Sequence, residues 1–389
     1  MKLQHPLLHL LTCGATTALL GTSTLSAAEN LSLKLEVAHA IDRGNAWLKA
    51  NQDSESGTWD DPKYPASTAL PVVAAMADPN RDPTAPTPPH IEKAYDFLFS
   101  STKDDGGIYG EGLATYNTAV SVMALLLSGD PRAEKAILDA RRFLAGQQAD
   151  FDTPGETDSP FDGGVGYGGT YTHSDLSNTH LALEALYYSQ NIAEERGDQE
   201  KPGTGLDWEA AITFVSRTQN LTATNDLAWA SDDPANKGGF VYFPGDSKAG
   251  EMETADGTTA LRSYGSMSYA GLLSFIYAQI DRSDPRVQAV MEWLQHNYST
   301  DENPGMEAQG LYYYYHTMAK ALALTGLTEV TLGDGTKVDW RQDLALKLID
   351  RQRADGSWVN RESGRWWENQ PALVTAYAVL SLEHIHRAL

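Results

Sequence analysis

The chain has 389 residues, 41% of them hydrophobic and 9% aromatic, enough to bury a large core and to exclude disorder as its main state. Its 52 acidic and 29 basic side chains leave a net charge of −23, which repels phosphate backbones and anionic lipid surfaces and argues against nucleic-acid partners. Length alone fits two average domains or one domain built from repeats.

Residues 1–28 read as a secretory leader. Lys2 is their only formal charge, Leu7 to Leu20 are largely apolar, and Ser26-Ala27-Ala28 offers small residues for cleavage. A short buried helix is the competing reading, but Ser, Thr and Gly interrupt any amphipathic stripe. Cys13, the only cysteine, lies in this leader, so the mature chain is expected to lack disulfides, thiolate nucleophiles and Cys-liganded zinc. No later stretch reaches the roughly 18 consecutive apolar residues of a membrane span. The expected product is exported, to a periplasm or beyond the cell, without stable membrane insertion.

A Gly-aromatic signature recurs along the remaining chain: Gly57-Thr58-Trp59, Gly107-Ile108-Tyr109, Gly164-Val165-Gly166-Tyr167, Gly239-Phe240, Gly310-Leu311-Tyr312 and Gly356-Ser357-Trp358. Amphipathic segments precede the copies, as in Ile91, Ala94, Tyr95 and Leu98 or Val287, Val290, Met291 and Leu294. More uniformly apolar segments follow them: Thr118 to Leu127, Leu181 to Leu186, Ala270 to Ile280, Met318 to Leu324 and Ala372 to Leu382. An outer amphipathic helix, a Gly-aromatic loop and an inner buried helix, repeated six times, predict an all-α toroid of residues 29–389. An open solenoid of helix pairs fits the same pattern; the lack of polar capping repeats favours closure. The stretches 150–169, 191–205 and 225–261 are too long for simple connectors, and such loops commonly serve function or carry short strands.

The segment Gln352-Arg353-Ala354-Asp355-Gly356-Ser357-Trp358 resembles the Gln-x-x-Asp-Gly-Ser-Trp motif of the squalene-cyclase and prenyltransferase repeat superfamily. Looser copies surround Gln52 to Trp59, Gln147 to Tyr167 and Gln219 to Phe240. Asp175-Leu176-Ser177-Asn178-Thr179, the run Arg262 to Met267, Asp301-Glu302-Asn303-Pro304-Gly305 and Gly310 to His316 are similar to an exported bacterial branch of unassigned activity. The resemblance implies an (α/α)6 barrel with a ligand cavity opening at one end of the inner ring. The signatures of the superfamily's familiar activities are missing. The Asp-x-Asp-Asp of class II cyclases is missing, with Thr58, Thr102 and Ala230 standing two positions before the pairs Asp60-Asp61, Asp104-Asp105 and Asp232-Asp233. None of these pairs continues to the Asp-Asp-x-x-Asp that holds magnesium, and the zinc site of protein prenyltransferases needs a cysteine.

Three clusters remain as candidate chemistry. Tyr312, His316 and Lys320, spaced i, i+4, i+8 on a helix, suggest an acid/base relay along one face; packing tyrosines with a fixed histidine are the plainer reading. Asp175, Asn178 and His180 open a second inner helix, where Asp175 also suits a helix cap. Arg262, Tyr264, Ser266 and Tyr269 enter a third, with Arg262 able to grip a carboxylate bidentately or to form a loop salt bridge. Tyr315, Trp366 and Trp367 are candidate stacking surfaces for an isoprenoid or a sugar. The acidic stretches at Asp301, Glu302 and Asn303 and at Asp152, Asp158 and Asp162 lack calcium-loop spacing and read as solvated turns, so no metal and no cofactor are expected.

Three functions follow. The first is an exported protein that binds an isoprenoid-like lipid or a glycan in an aromatic-lined cavity. The second is a polysaccharide lyase using Tyr312, His316, Asn178 and Arg262. The third is a divergent terpene cyclase protonating through Asp150, Asp152 or Asp226. The sequence leaves the oligomeric state open.

Overall fold

The computed structural model describes residues 23–168, 173–195, 205–254 and 257–389. The expected leader lies outside them except for Ser23–Ala28, which open the first helix. Among the described residues the chain is mostly helical: α1 (Ser23–Ala50), α2 (Ala66–Met76), α3 (Pro89–Ser100), α4 (Ala114–Leu125), α5 (Arg132–Ala145), α6 (Leu176–Tyr188), α7 (Gln190–Glu195), α8 (Trp208–Arg217), α9 (Gly265–Tyr277), α10 (Pro285–His296), α11 (Leu311–Thr325), α12 (Trp340–Arg351) and α13 (Pro371–Ala388). Two short antiparallel hairpins join them, β1 (Glu251–Glu253) with β2 (Thr259–Leu261) and β3 (Glu329–Thr331) with β4 (Lys337–Asp339). The first hairpin falls in a stretch too long for a connector; the second follows no sequence signal used above.

Burial sorts the helices into two sets. The outer ones bury one stripe, Ile91, Ala94, Tyr95 and Leu98 in α3 and Val287, Val290, Trp293 and Leu294 in α10. Four helices start at an Asp whose side chain accepts a backbone N–H of the first turn, Asp175, Asp207, Asp284 and Asp339. The inner helices α2, α4, α6, α9, α11 and α13 are buried nearly all round. They pack in that order, and α13 packs back on α2.

The repeated loops explain the joints between outer helices. In four of them a Gln side chain at the end of one outer helix donates both to its own loop and to the next outer helix; in the Gly107 loop Thr102 stands at the corresponding place. Gln52 Nε2 reaches Gly57 O at 2.7 Å and His90 O at 2.9 Å, and Gln219 Nε2 reaches Gly238 O and Arg286 O, both at 2.9 Å. Gln148 does the same to Gly163 O and Asp207 O, and Gln352 to Gly356 O and Ala40 O. The glycine is required by close approach. Gly356 has φ +96°, and a Cβ on it would stand 2.6 Å from Arg43 O of α1; Gly106, at φ +89°, would press equally on Asp139 O of α5. Behind it, an inner-helix hydroxyl accepts the backbone N–H of the loop's apolar residue: Thr68 from Trp59, Thr118 from Ile108, Thr179 from Val165, Ser268 from Phe240 and Thr375 from Trp358. The indoles of Trp59 and Trp358 donate to Leu48 O and Leu348 O.

The sixth signature is of another kind. Gly310 is the left-handed residue at φ +63° that starts α11, and Leu311-Tyr312 belong to the helix itself. Here the phenols of Tyr314 and Tyr315 fasten the preceding loop by donating to Ser299 O (2.8 Å) and Thr300 O (2.6 Å).

Candidate functional site

A cavity of about 770 Å³ lies among α2, α4, α6, α11 and α13. Its volume falls within the roughly 300–1,000 Å³ of small-molecule sites. The walls are apolar, from Val73, Met76, Val120, Met123, Leu181 and Leu324 among others. It runs from the segments following α2 and α11 down to Tyr116, Tyr313, Tyr377 and His180 in the N-terminal halves of their helices.

Polar groups occur along the whole depth, with Asp78, Arg81, Glu383 and Arg387 towards the mouth and Tyr116, Tyr313, Tyr377, His180 and His316 further in. Tyr116 and Tyr377 share a hydrogen bond, Oη to Oη at 3.1 Å. The Tyr377 ring stacks on His316, with centroids 5.6 Å apart, and His316 lies 5.8 Å from His384. His180 Nδ1 is 2.8 Å from Ser177 O. Across the cavity Lys320 Nζ of α11 meets Glu184 Oε1 of α6 at 2.7 Å, the two side chains 13% and 3% exposed. In packing order α9 stands between those helices, and it contributes none of the described lining residues. The ion pair therefore links the two helices that flank α9.

Burial holds the imidazoles neutral. It pushes His180 down to about 4, and it pushes His316 and His384 well below the usual histidine range, with the Lys320 ammonium adding to the shift in both. Near the mouth, burial pushes the Glu383 carboxyl up to about 8 against the pull of Arg387, whose guanidinium is 3.3 Å away.

His316 and Lys320 of the anticipated relay line this cavity; Tyr312 does not. Each step of four residues overshoots a helical turn by about 40°, so the face that carries His316 and Lys320 is continued by Tyr313, at i−3 and i−7. Tyr312 is buried instead, edge-on to Tyr315, its phenol pushed up to about 12 by that burial.

The other anticipated residues are dispersed. Asp175 caps α6, accepting from Asn178 N and Asn178 Nδ2, both at 2.8 Å, and burial pushes its carboxyl up to about 7. Arg262 is exposed and donates Nε to Glu251 O at 3.1 Å. Tyr264 is buried ahead of α9, and Tyr269 packs on Tyr314 at 5.7 Å. Tyr315 is spent on the Thr300 carbonyl. Trp366 and Trp367 are 44% and 46% exposed where the inner helices begin, beside Gly310 and Tyr64. None of these lines the cavity.

The groups that sequence reasoning left aside are Tyr116, Tyr313, Glu184, Tyr377, Glu383 and His384. Glu184, Glu383 and His384 had a usable signal, since a charged or titratable residue inside a uniformly apolar helix needs a partner or a cavity. Among the described residues no group of three His, Cys, Asp or Glu is placed to hold a metal ion, and no helix is long and apolar enough to cross a membrane.

No family model matches the chain and no curated protein matches it by sequence. Solved structures do. A ligand-free variant of the type II terpene cyclase MstE from Scytonema aligns at TM-score 0.51 and 12% identity, over 92% of this chain and 99% of that one. A second variant, in complex with geranylgeranyl dihydroxybenzoate as substrate, aligns at 0.51 and 12%, over 92% and 100%. A third, in complex with the product merosterolic acid A, gives 0.51 and 13%, over 92% and 99%. The fold is terpenoid cyclase-like. At such identities the likeness extends to the fold alone, so a terpenoid cyclase-like chain must have its activity argued from its own cavity.

Proposed function

We propose that this chain is an exported terpenoid cyclase-like repeat protein that binds an apolar, isoprenoid-like ligand and does not cyclise it by alkene protonation. Residues 1–28 serve as the leader and 29–389 form one (α/α)6 toroid. The return of α13 onto α2 and of the Gln352 loop onto α1 supports closure over an open solenoid.

The observation that carries the reading is the cavity itself, about 770 Å³ with largely apolar walls interrupted by a limited set of polar side chains. Burying hydrocarbon there yields about 25 cal/mol per Å² of apolar surface, a gain that a hydroxyl-studded glycan does not obtain. The MstE complex whose substrate carries a geranylgeranyl chain supports the same class. Alkene protonation demands a strong acid. Asp150, Asp152 and Asp226 are exposed and away from the cavity, while Glu383, which lines it, binds its proton more tightly than an ordinary carboxyl. The lyase set is scattered: His316 is in the cavity, Tyr312 and Asn178 are buried elsewhere, and Arg262 is on the surface.

The test is mass spectrometry of the mature protein after incubation with squalene, polyprenols and uronic oligosaccharides, beside an Ala323→Trp variant that fills the cavity. Retention of the isoprenoids with unchanged mass, lost in the variant, is the expected result. A new terpenoid mass overturns the non-catalytic part; no isoprenoid retention overturns the whole reading.

A further inference from the structure

We infer that the ligand of this cavity is an isoprenoid bearing a neutral oxygen, a hydroxyl or carbonyl, seated head-down against the α11 row Tyr313, His316 and Lys320. The inference rests on the isoprenoid reading above and deepens it by naming the head group. The three side chains lie at i, i+3 and i+7, spanning about 10 Å along one helix face, and all three line the cavity.

Their hydrogen bonding is incomplete. His316 is 8% exposed, yet its Nδ1 has no hydrogen-bond partner. Tyr313 Oη is buried without a well-formed hydrogen bond, the Ser177 hydroxyl being its weakly placed neighbour. Lys320 offers three N–H donors and gives one to Glu184. Buried polar groups without partners are costly, so a ligand oxygen that bonds to them gains affinity that a hydrocarbon cannot.

Charge decides which head fits. The ion pair is self-neutralised, and the three imidazoles around it are uncharged, so the polar zone presents donors and acceptors without net charge. An anionic head that approached Lys320 would meet the Glu184 carboxylate 2.7 Å away, and a cationic head would meet the ammonium. A hydroxyl or carbonyl oxygen accepts from Lys320 or Tyr313 and pays neither repulsion. Cationic side chains also line the upper part of the cavity, at Arg81 and Arg387, and would hold an acid or diphosphate there instead.

Competition for the mature protein among five ligands of one chain length separates these outcomes: geranylgeraniol, geranylgeranial, geranylgeranoic acid, geranylgeranyl diphosphate and the parent hydrocarbon. The alcohol and aldehyde are expected to bind about tenfold tighter than the hydrocarbon and tighter than either anion. Tyr313→Phe, which removes one oxygen from a ring that keeps its packing, narrows the alcohol-to-hydrocarbon ratio several-fold, as does the paired change Lys320→Met with Glu184→Gln. Tightest binding of the acid or diphosphate, or a ratio that neither variant moves, overturns the inference while leaving isoprenoid binding intact. Failure of all five ligands overturns the isoprenoid reading itself.

Discussion

Glu383 sits inside α13 with an unpartnered Oε1, and its carboxyl has risen to about 8 because burial outweighs Arg387 while Asp78 adds to the rise. A folded-state value above the unfolded one means that the folded chain keeps a proton the unfolded chain has already released. That contribution is complete below about 4.5 and disappears as pH rises through about 8. The buried histidines act in the opposite sense: His180 withdraws stability as pH falls from 6.5 towards about 4. Above pH 7 the histidines contribute little, so urea unfolding between pH 7 and 9 is expected to show falling stability, and Glu383→Gln to make that limb shallower, with a remainder below pH 8 from Asp175 and Glu368, both raised to about 7. A flat wild-type profile would mean that Glu383 is ionised in the folded protein. The Lys320 and Glu184 pair gives a second residue-scale expectation. Lys320→Met alone strands a carboxylate that is 3% exposed and costs about 3–5 kcal/mol, whereas adding Glu184→Gln restores most of it. Equal losses in the single and double variants would show that volume, not charge, sets the cost.

At the scale of the element, α11 depends on a residue far from it in sequence. Glu368, 1% exposed, accepts from Tyr312 N and Tyr313 N at 2.9 Å through one oxygen and from Asn360 Nδ2 at 2.7 Å through the other. It does for α11 what Asp175 does for α6, but from the loop before α13. Glu368→Ala is expected to cost about 2 kcal/mol in chemical denaturation, and Glu368→Gln distinctly less because an acceptor oxygen remains. Asp175 could be read as a cap because it immediately precedes its helix, whereas nothing local marks Glu368. The same contrast governs the candidate site. Helices and their buried faces were legible, since periodicities in Ile91 to Leu98 and Val287 to Leu294 are local. Which face of α11 meets the cavity was not, because a run of four tyrosines gives every face an aromatic residue. The i, i+4, i+8 spacing points to Tyr312, whereas the drift of about 40° per four residues brings Tyr313 to the cavity. The partner of Lys320 lies on α6, and the Tyr116 to Tyr377 contact joins α4 to α13; both follow only from the packing order of whole helices.

For the whole molecule, the decisive joint is the one between its two ends. Gln352 at the end of α12 donates to Ala40 O of α1 at 3.0 Å, and Arg43 of α1 donates back to Arg353 O at 2.6 Å. Gln219 makes the corresponding joint between α8 and α10 in mid-chain. In an open stack of repeats each unit is held only by its sequence neighbours, so terminal units fray first and a terminal joint matters less than a central one. In a closed ring no joint is terminal. Removing either glutamine side chain takes away two hydrogen bonds to partly buried or buried carbonyls, about 1–3 kcal/mol in all. Closure therefore predicts that Gln352→Ala and Gln219→Ala lower the unfolding free energy by similar amounts, and that Gln352→Ala weakens amide-exchange protection in both α1 and α13. An open arrangement predicts a small loss for Gln352→Ala with increased exchange confined to α1. Hydrogen exchange on the two variants distinguishes these outcomes, and it also bears on ligand retention, because a cavity walled by α13 and α2 keeps its shape only while those two helices stay together.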